Sequence, residues 1–147
     1  MIELTGDAAM AGFGRALARQ LRVGDVIALR GDLGAGKTAL ARGILHGLGL
    51  AGEAPSPTFT LVQSYAPPEV RLPVSHVDLY RLADTQEAEE LGLDEALATG
   101  ALLIEWPERL GGWLWPQALI LDIEGAGSAA RRLTAQVPDA WKPRWTA

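Results

Sequence analysis

The chain contains no cysteine and only two histidines among its 147 residues. A disulfide framework and a thiolate metal site are therefore excluded, and a histidine-rich zinc site is not expected. Asparagine is absent as well, which excludes a GTPase that reads guanine through an N-K-x-D element.

Long apolar runs and excess positive charge are also lacking. No uninterrupted run approaches the roughly 20 apolar residues of a membrane-spanning helix, and the N-terminal stretch has no basic segment. We therefore expect a soluble, cytoplasmic protein with no membrane contact. The net charge of −5 argues against a broad basic face, so any contact with nucleic acid is expected to be local or shared with a partner.

The apolar pattern predicts an α/β fold in one domain over residues 1–147, with a mainly parallel central sheet flanked by helices, additional antiparallel strand pairs, and a C-terminal tail at 138–147. Helices are predicted from Asp7, as N-cap, from Lys37 to a cap at Gly49, and from Asp84 to about Leu97 with a break near Gly92. The predicted strands are 2–4, 26–30, 58–65, 71–81, 101–105, 118–124 and 131–137.

The most specific motif is "RGDLGAGKTAL", residues 30–40, which contains one of only two lysines in the chain. Gly31, Gly36, Lys37 and Thr38 match G-x-x-x-x-G-K-[S/T], the phosphate-binding P-loop pattern, between a buried strand and a helix. Glycines let successive backbone N–H groups point inward around phosphate oxygens, and the helix start adds its positive end. Lys37 is predicted to contact the β- and γ-phosphates, and the Thr38 hydroxyl to bind Mg²⁺.

Two carboxylates at strand ends complete the predicted catalytic site. Glu105 ends the apolar run "ALLI", and Asp78 ends the more mixed run "VSHV". One is expected to hold Mg²⁺ while the other orients the attacking water, and their spacing does not assign the roles. His76 shares a strand face with Asp78, as a hydrogen-bonding partner of the site or as a buried core histidine.

Four further features each have two interpretations. Thr58 in "SPTFT" is either a γ-phosphate sensor or an ordinary turn residue, and Arg81 either assists phosphate or a partner or forms a surface salt bridge. Trp106 is expected near the rim of the site, where it contacts a partner or covers the core. The stretch "WKPRW", 141–145, is either a short single-strand-binding tail or a packed terminus.

Four blocks, "GDLGAGKTAL", "SPTFTLVQSY", "HVDLYRL" and "EWPE", together resemble the bacterial TsaE (YjeE) family of tRNA threonylcarbamoyladenosine biosynthesis proteins. The resemblance implies a small, regulatory P-loop ATPase that uses ATP and Mg²⁺ and works with TsaD and TsaB. Those partners transfer the threonylcarbamoyl group to the adenosine beside the tRNA anticodon, so tRNA is met through the complex.

The resemblance also assigns residues. It implies that Thr38 and Glu105 bind Mg²⁺, that Asp78 sits in the Walker B-like site, and that Ser56 to Thr58 form a switch-like loop. Relatives often carry a Gly-Arg pair where this chain reads "GSAARR", which leaves a nucleotide contact from Arg131 or Arg132 open, and the segment around Asp7 matches loosely. The implied phosphate-binding residues are Leu33, Gly34, Ala35, Gly36, Lys37 and Thr38.

Two rival functions fit the P-loop. A small-molecule kinase needs an arginine-bearing lid and an acceptor pocket, and the only arginine pair, Arg131 and Arg132, falls in a predicted strand. A nucleotide-dependent binding module with negligible turnover needs no further motif. The sequence alone does not separate that module from an ATPase that is slow without its partners.

Overall fold

The computed structural model describes residues 2–55, 57, 61–82, 85–111 and 114–145. Its seven strands are β1 (Ile2–Thr5), β2 (Val26–Arg30), β3 (Val62–Tyr65), β4 (Val74–Asp78), β5 (Ala101–Glu105), β6 (Leu119–Glu124) and β7 (Ala130–Gln136). Its helices are α1 (Gly6–Ala18), α2 (Lys37–Gly47), α3 (Thr85–Glu90) and α4 (Leu93–Thr99), with a short 3₁₀ helix at Pro107–Leu110.

The strands form one sheet in the order β1-β7-β6-β2-β5-β4-β3. The four central strands, β6, β2, β5 and β4, run parallel. Antiparallel pairs flank them: β3 with β4 on one side, and β7 with both β6 and β1 on the other. The expected mixed α/β sheet with antiparallel pairs at its sides is confirmed.

The central strands are apolar because both faces of the sheet are covered. Ile27 and Leu29 of β2 and Leu103 of β5 point into one apolar core, which also contains the buried residues of α1 and α2. Val26 and Leu102 belong to a second core with residues of α4 and the 3₁₀ helix. A continuous apolar run is typical of a strand buried in this way. The parallel pairing of β5 with both β2 and β4 brings the carboxyl ends of these three strands together.

The N-cap of α1 differs from expectation, whereas the predicted helix break near Gly92 is confirmed. Asp7 lies in the first turn of α1 and not at its N-cap, since the helix begins at Gly6 and the capping residue is Thr5. The helix expected up to about Leu97 is divided into α3 and α4 at Gly92, which has a left-handed φ of 68°, as the predicted break indicated. Asp84, the expected cap of that helix, lies outside the described residues.

Over its described part, residues 138–145, the C-terminal segment is packed against the rest of the protein, as one of the two interpretations of "WKPRW" predicts. Trp141 is completely buried in the core between the sheet and α1. The Arg144 guanidinium donates to both Asp25 oxygens, at 2.6 and 3.0 Å, and both side chains are buried. Apolar burial and a paired buried charge therefore anchor the segment, and Trp141 is not exposed for base stacking.

Two glycines allow α1 and α2 to pack closely. A Cβ on Gly43 would lie 2.7 Å from the Ala11 Cα and would collide with the Ala11 carbonyl oxygen. A Cβ on Gly14 would lie 2.5 Å from the Leu40 carbonyl oxygen. Since these neighbours are backbone atoms, they cannot move aside like a flexible side chain. The contact holds the start of α2, and with it the glycine-rich loop, against α1.

Replacing Gly43 with alanine is expected to destabilise the protein by about 1–3 kcal/mol, the usual effect of overpacking. Thermal unfolding measures this as a melting temperature lower by about 2–4 °C per kcal/mol. Gly12→Ala in α1 is the matched control, because its Cβ would meet only the Arg15 side chain, at 3.6 Å. An unchanged melting temperature for Gly43→Ala would contradict the close helix contact.

Candidate functional site

The candidate site lies where three parallel strands end. The glycine-rich loop follows β2, Asp78 is the last residue of β4, and Glu105 is the last residue of β5. Asp78 and Glu105 are direct register partners, because both strands end at the same edge of the sheet. The structure therefore brings together the loop and the two carboxylates predicted from sequence.

Backbone conformation in the loop depends on glycine. Gly34 and Gly36 have φ values of 81° and 107°, in the left-handed region that other residues seldom adopt. Gly36 is the N-cap of α2, and its Cβ position lies 3.1 Å from the end of the Met10 side chain. The loop consequently leads directly into the N-terminus of an 11-residue helix, an arrangement that suits an anion.

Lys37 is turned back into its own loop. Its ammonium group donates to the carbonyl oxygens of Gly31 and, at 3.1 Å, Asp32, and it lies 4.0 Å from the centre of the Trp106 ring. The residue is only 5% exposed, and this burial lowers the pKa of the amine, while the nearby Glu105 carboxylate acts in the opposite direction. The amine is therefore bonded within the loop that carries the phosphate-binding motif.

Glu105 connects the loop to the neighbouring strand. The Thr38 hydroxyl donates to its Oε1 at 3.0 Å and lies 3.2 Å from Oε2. On the other side of the carboxylate, His76 Nε2 lies 2.6 Å from Oε2. Glu105 is 2% exposed and His76 is fully buried, so this carboxylate is held by donors from α2 and from β4.

Asp78 is buried beside this group, with 5% of its surface exposed. Its Oδ1 accepts a hydrogen bond from the Tyr80 backbone N–H at 2.9 Å. Its negative charge also favours the charged form of the Lys37 amine. The structure thus separates two carboxylates that the sequence left equivalent: Glu105 contacts the hydroxyl at the start of α2, and Asp78 contacts the backbone that follows β4.

Aromatic rings cover one side of the loop. Trp106 has a left-handed φ of 60°, which is uncommon for a residue other than glycine. Its ring lies against Lys37 and also against the Tyr80 ring, with centroids 4.8 Å apart. The Arg109 guanidinium lies 5.8 Å from the centre of Tyr80 on the 3₁₀ helix side. Trp106 is therefore at the rim of the site, as expected.

A cavity of about 300 Å³ opens beside the loop, within the size range of small-molecule sites. It is lined by the loop and the start of α2 together with Asp7, Arg42, Glu105, Trp106 and Arg131.

Arg131 contacts the glycine-rich loop. Its Nε donates to the Ala35 carbonyl at 3.0 Å, whereas the sequence left open whether Arg131 or Arg132 lies near the nucleotide site. Arg132 is not among the residues that line this cavity. Arg42 was not singled out from sequence, because nothing in its helix distinguishes it from a solvated arginine.

A family model described as "Threonylcarbamoyl adenosine biosynthesis protein TsaE" matches residues 4–133. The chain belongs to the TsaE family. The match covers the loop, both carboxylates and Arg131, and it confirms the resemblance inferred from the four sequence blocks.

Curated TsaE proteins match over much of the chain. "tRNA threonylcarbamoyladenosine biosynthesis protein TsaE" of Synechocystis is 48% identical over 67% of this chain and 64% of its own length. The Bacillus subtilis protein of the same name is 42% identical over 76% of this chain and 68% of its own length. The Treponema pallidum protein is 36% identical over 83% of this chain and 89% of its own length.

A solved structure supports the TsaE assignment at the level of the fold. The crystal structure of Bacillus subtilis YdiB superposes with a TM-score of 0.80 and 30% sequence identity, covering 97% of this chain and 88% of that one. No helix in the part of the chain that the structure describes is long and apolar enough to cross a membrane.

Two residues of the predicted switch-like loop, Ser56 and Thr58, lie outside the described residues, so the sensor role of Thr58 stays a prediction. Arg81 is exposed, and His76 is buried at Glu105.

The donor set fits a magnesium ion. Mg²⁺ prefers oxygen ligands and is usually held by one or two carboxylates together with water and substrate phosphates. Thr38 and Glu105 offer a hydroxyl and a carboxylate in contact with each other. Among the described residues, no group of three or more His, Cys, Asp or Glu side chains is arranged to hold a metal ion.

Proposed function

We propose that this chain is a Mg²⁺-dependent ATPase that regulates threonylcarbamoyladenosine modification of tRNA. It acts with homologues of TsaD and TsaB, not as the transferase itself. The observation that carries the proposal is the convergence of Lys37, Thr38 and Glu105 at the loop before α2. Membership of the TsaE family supports the role in tRNA modification, and the geometry of the site supports the binding of ATP and Mg²⁺.

The loop and Lys37 are proposed to bind the phosphates. Residues Leu33 to Thr38 would direct backbone N–H groups, and the N-terminus of α2, at the phosphate oxygens. The Lys37 amine is now bonded to the Gly31 and Asp32 carbonyls. On ATP binding it would exchange these neutral acceptors for the charged β- and γ-phosphates, which form stronger hydrogen bonds.

Thr38 and Glu105 are proposed to hold Mg²⁺, and Asp78 to orient the attacking water. When bound, the ion would neutralise charge on the β- and γ-phosphates. Asp78 fits the second role because it is buried beside Glu105 at the same edge of the sheet. A carboxylate there can accept a hydrogen bond from water and align it.

Partner dependence is tested by measuring phosphate release from ATP by the chain alone and after adding TsaD and TsaB. We expect slow release alone and faster release with both partners. The Lys37→Ala variant provides the background in each case. Absence of both stimulation and a complex would contradict the regulatory role, even if ATP binding were normal.

One observation favours a second candidate, a nucleotide-dependent binding module with negligible turnover. Lys37 is bonded to the loop carbonyls and covered by Trp106, so nucleotide must displace existing contacts before chemistry begins. The same assay separates the two functions. A module would form an ATP-dependent complex with TsaD and TsaB without accelerating phosphate release.

A further inference from the structure

His76 is a buried side chain that contacts Glu105, the predicted metal ligand. Its Nε2 lies 2.6 Å from Glu105 Oε2, and the residue is fully buried. A carboxylate is only an acceptor, so Nε2 must carry a hydrogen. Nδ1 has no hydrogen-bond partner within the described part of the chain. Packing alone does not explain an imidazole here, because an apolar side chain would leave no orphaned nitrogen.

The sheet register explains how His76 reaches Glu105. His76 pairs with Leu103, and two residues further along Asp78 pairs with Glu105. Residues two apart on a strand share a face, so His76 and Glu105 are diagonal neighbours on one side of the sheet. The imidazole bridges this diagonal from β4 to β5.

Two donors from different elements therefore fix the Glu105 carboxylate. The Thr38 hydroxyl makes its shorter contact to Oε1, at 3.0 Å, and His76 contacts Oε2. Without His76, Oε2 of Glu105, a residue only 2% exposed, would keep among the described residues only the longer 3.2 Å contact to Thr38. A buried carboxylate that loses a hydrogen-bond donor is destabilised by desolvation, or it rotates until it accepts a hydrogen bond from another group.

We propose that His76 is a positioning residue for Glu105: its Nε2–H occupies Oε2 and thereby directs Oε1 toward Thr38 and the nucleotide side of the site. The inference rests on the proposed function, since Glu105 matters there as a Mg²⁺ ligand. Partners that orient a metal ligand commonly contribute 10–100-fold to metal affinity. His76 itself touches neither nucleotide nor ion in this role.

Two amide variants test the role. The side-chain nitrogen of His76→Gln can reach the position of Nε2, whereas that of His76→Asn reaches only the position of Nδ1. In His76→Asn, we expect the gain in ATP affinity that Mg²⁺ provides to be about 10–100-fold smaller than in the wild type. In His76→Gln, we expect this gain to lie within a few-fold of the wild-type value. ATP binding without Mg²⁺ should be equal in both variants and the wild type. Calorimetric titration of ATP at several Mg²⁺ concentrations measures each value.

Crystal structures of the nucleotide-free variants provide a second readout. Gln should keep the Thr38–Glu105 hydrogen bond, and Asn should lose it. Equal Mg²⁺ dependence in Asn and wild type, or equal loss in both variants, would overturn the positioning role. If the wild type showed no Mg²⁺-dependent ATP binding, the proposed function would fail, and the Thr38–Glu105 geometry of the two variants would still decide whether His76 positions the carboxylate.

Discussion

Glu105→Ala is expected to lower ATP hydrolysis by about 100- to 1000-fold, the range found when one group that stabilises transition-state charge is removed. The variant loses the carboxylate that contacts the Thr38 hydroxyl and His76. It should also lose most of the Mg²⁺ dependence of the reaction. Phosphate release in the presence of TsaD and TsaB, at a series of Mg²⁺ concentrations, measures both effects.

Glu124→Ala is the matched control for Glu105. Glu105 ends β5 and Glu124 ends β6, the two parallel neighbours of β2. Glu124 is exposed, and it is not among the residues that line the cavity with Lys37 and Thr38. It should hydrolyse ATP at the wild-type rate. If Glu105→Ala were also normal while Asp78→Ala abolished hydrolysis, the two carboxylates would exchange their assigned roles.

Lys37→Ala is expected to weaken ATP binding by roughly 10- to 150-fold. The substitution removes a hydrogen bond to a charged group, which contributes about 1.5–3 kcal/mol. The measurement is the dissociation constant from calorimetric titration with Mg²⁺ and ATP. Thermal unfolding of the same sample verifies that the variant is folded, since Lys37 is buried and bonded to the loop.

The chain offers a natural control in its second lysine. Lys142 is exposed and pairs with Asp139 at 2.8 Å on the C-terminal segment. It lies outside the cavity that contains Lys37. Lys142→Ala should bind ATP like the wild type. Unchanged affinity in Lys37→Ala would show that the loop does not bind phosphate through this amine.

Much of the site could be predicted because its signals are local. The residues from β2 through the loop to Lys37 and Thr38 are contiguous, and glycine spacing with an apolar strand indicates their conformation. Glu105 follows an apolar run, and Asp78 follows the more mixed run "VSHV". The carboxyl ends of parallel neighbours lie at one edge of the sheet, which explains why the two carboxylates meet once β4 and β5 are neighbours.

The remaining contacts could not be predicted because they join distant parts of the chain. Arg131 reaches the loop across 96 residues, and Arg144 reaches Asp25 across 119 residues. No spacing rule connects such pairs, since they depend on which strands become neighbours and on how the C-terminus packs. The diagonal contact of His76 with Glu105 likewise requires the register between β4 and β5.

The covering of Lys37 by Trp106 has the same origin. A left-handed φ at a tryptophan is uncommon, so no propensity scale predicts where its ring will lie. The contact with Lys37, at 4.0 Å, and the neighbouring Tyr80 ring arise from the turn after β5. The sequence predicts only that Trp106 lies near the rim of the site, whereas the structure shows that its indole ring covers the Lys37 amine.

The central claim is that the loop before α2, with Thr38 and Glu105, forms a site for ATP and Mg²⁺. Calorimetric titration of the folded wild-type chain with ATP, with and without Mg²⁺, tests it most directly. The account predicts saturable binding at one site per chain that becomes tighter when Mg²⁺ is present. Absence of binding, or binding that Mg²⁺ leaves unchanged, would contradict it.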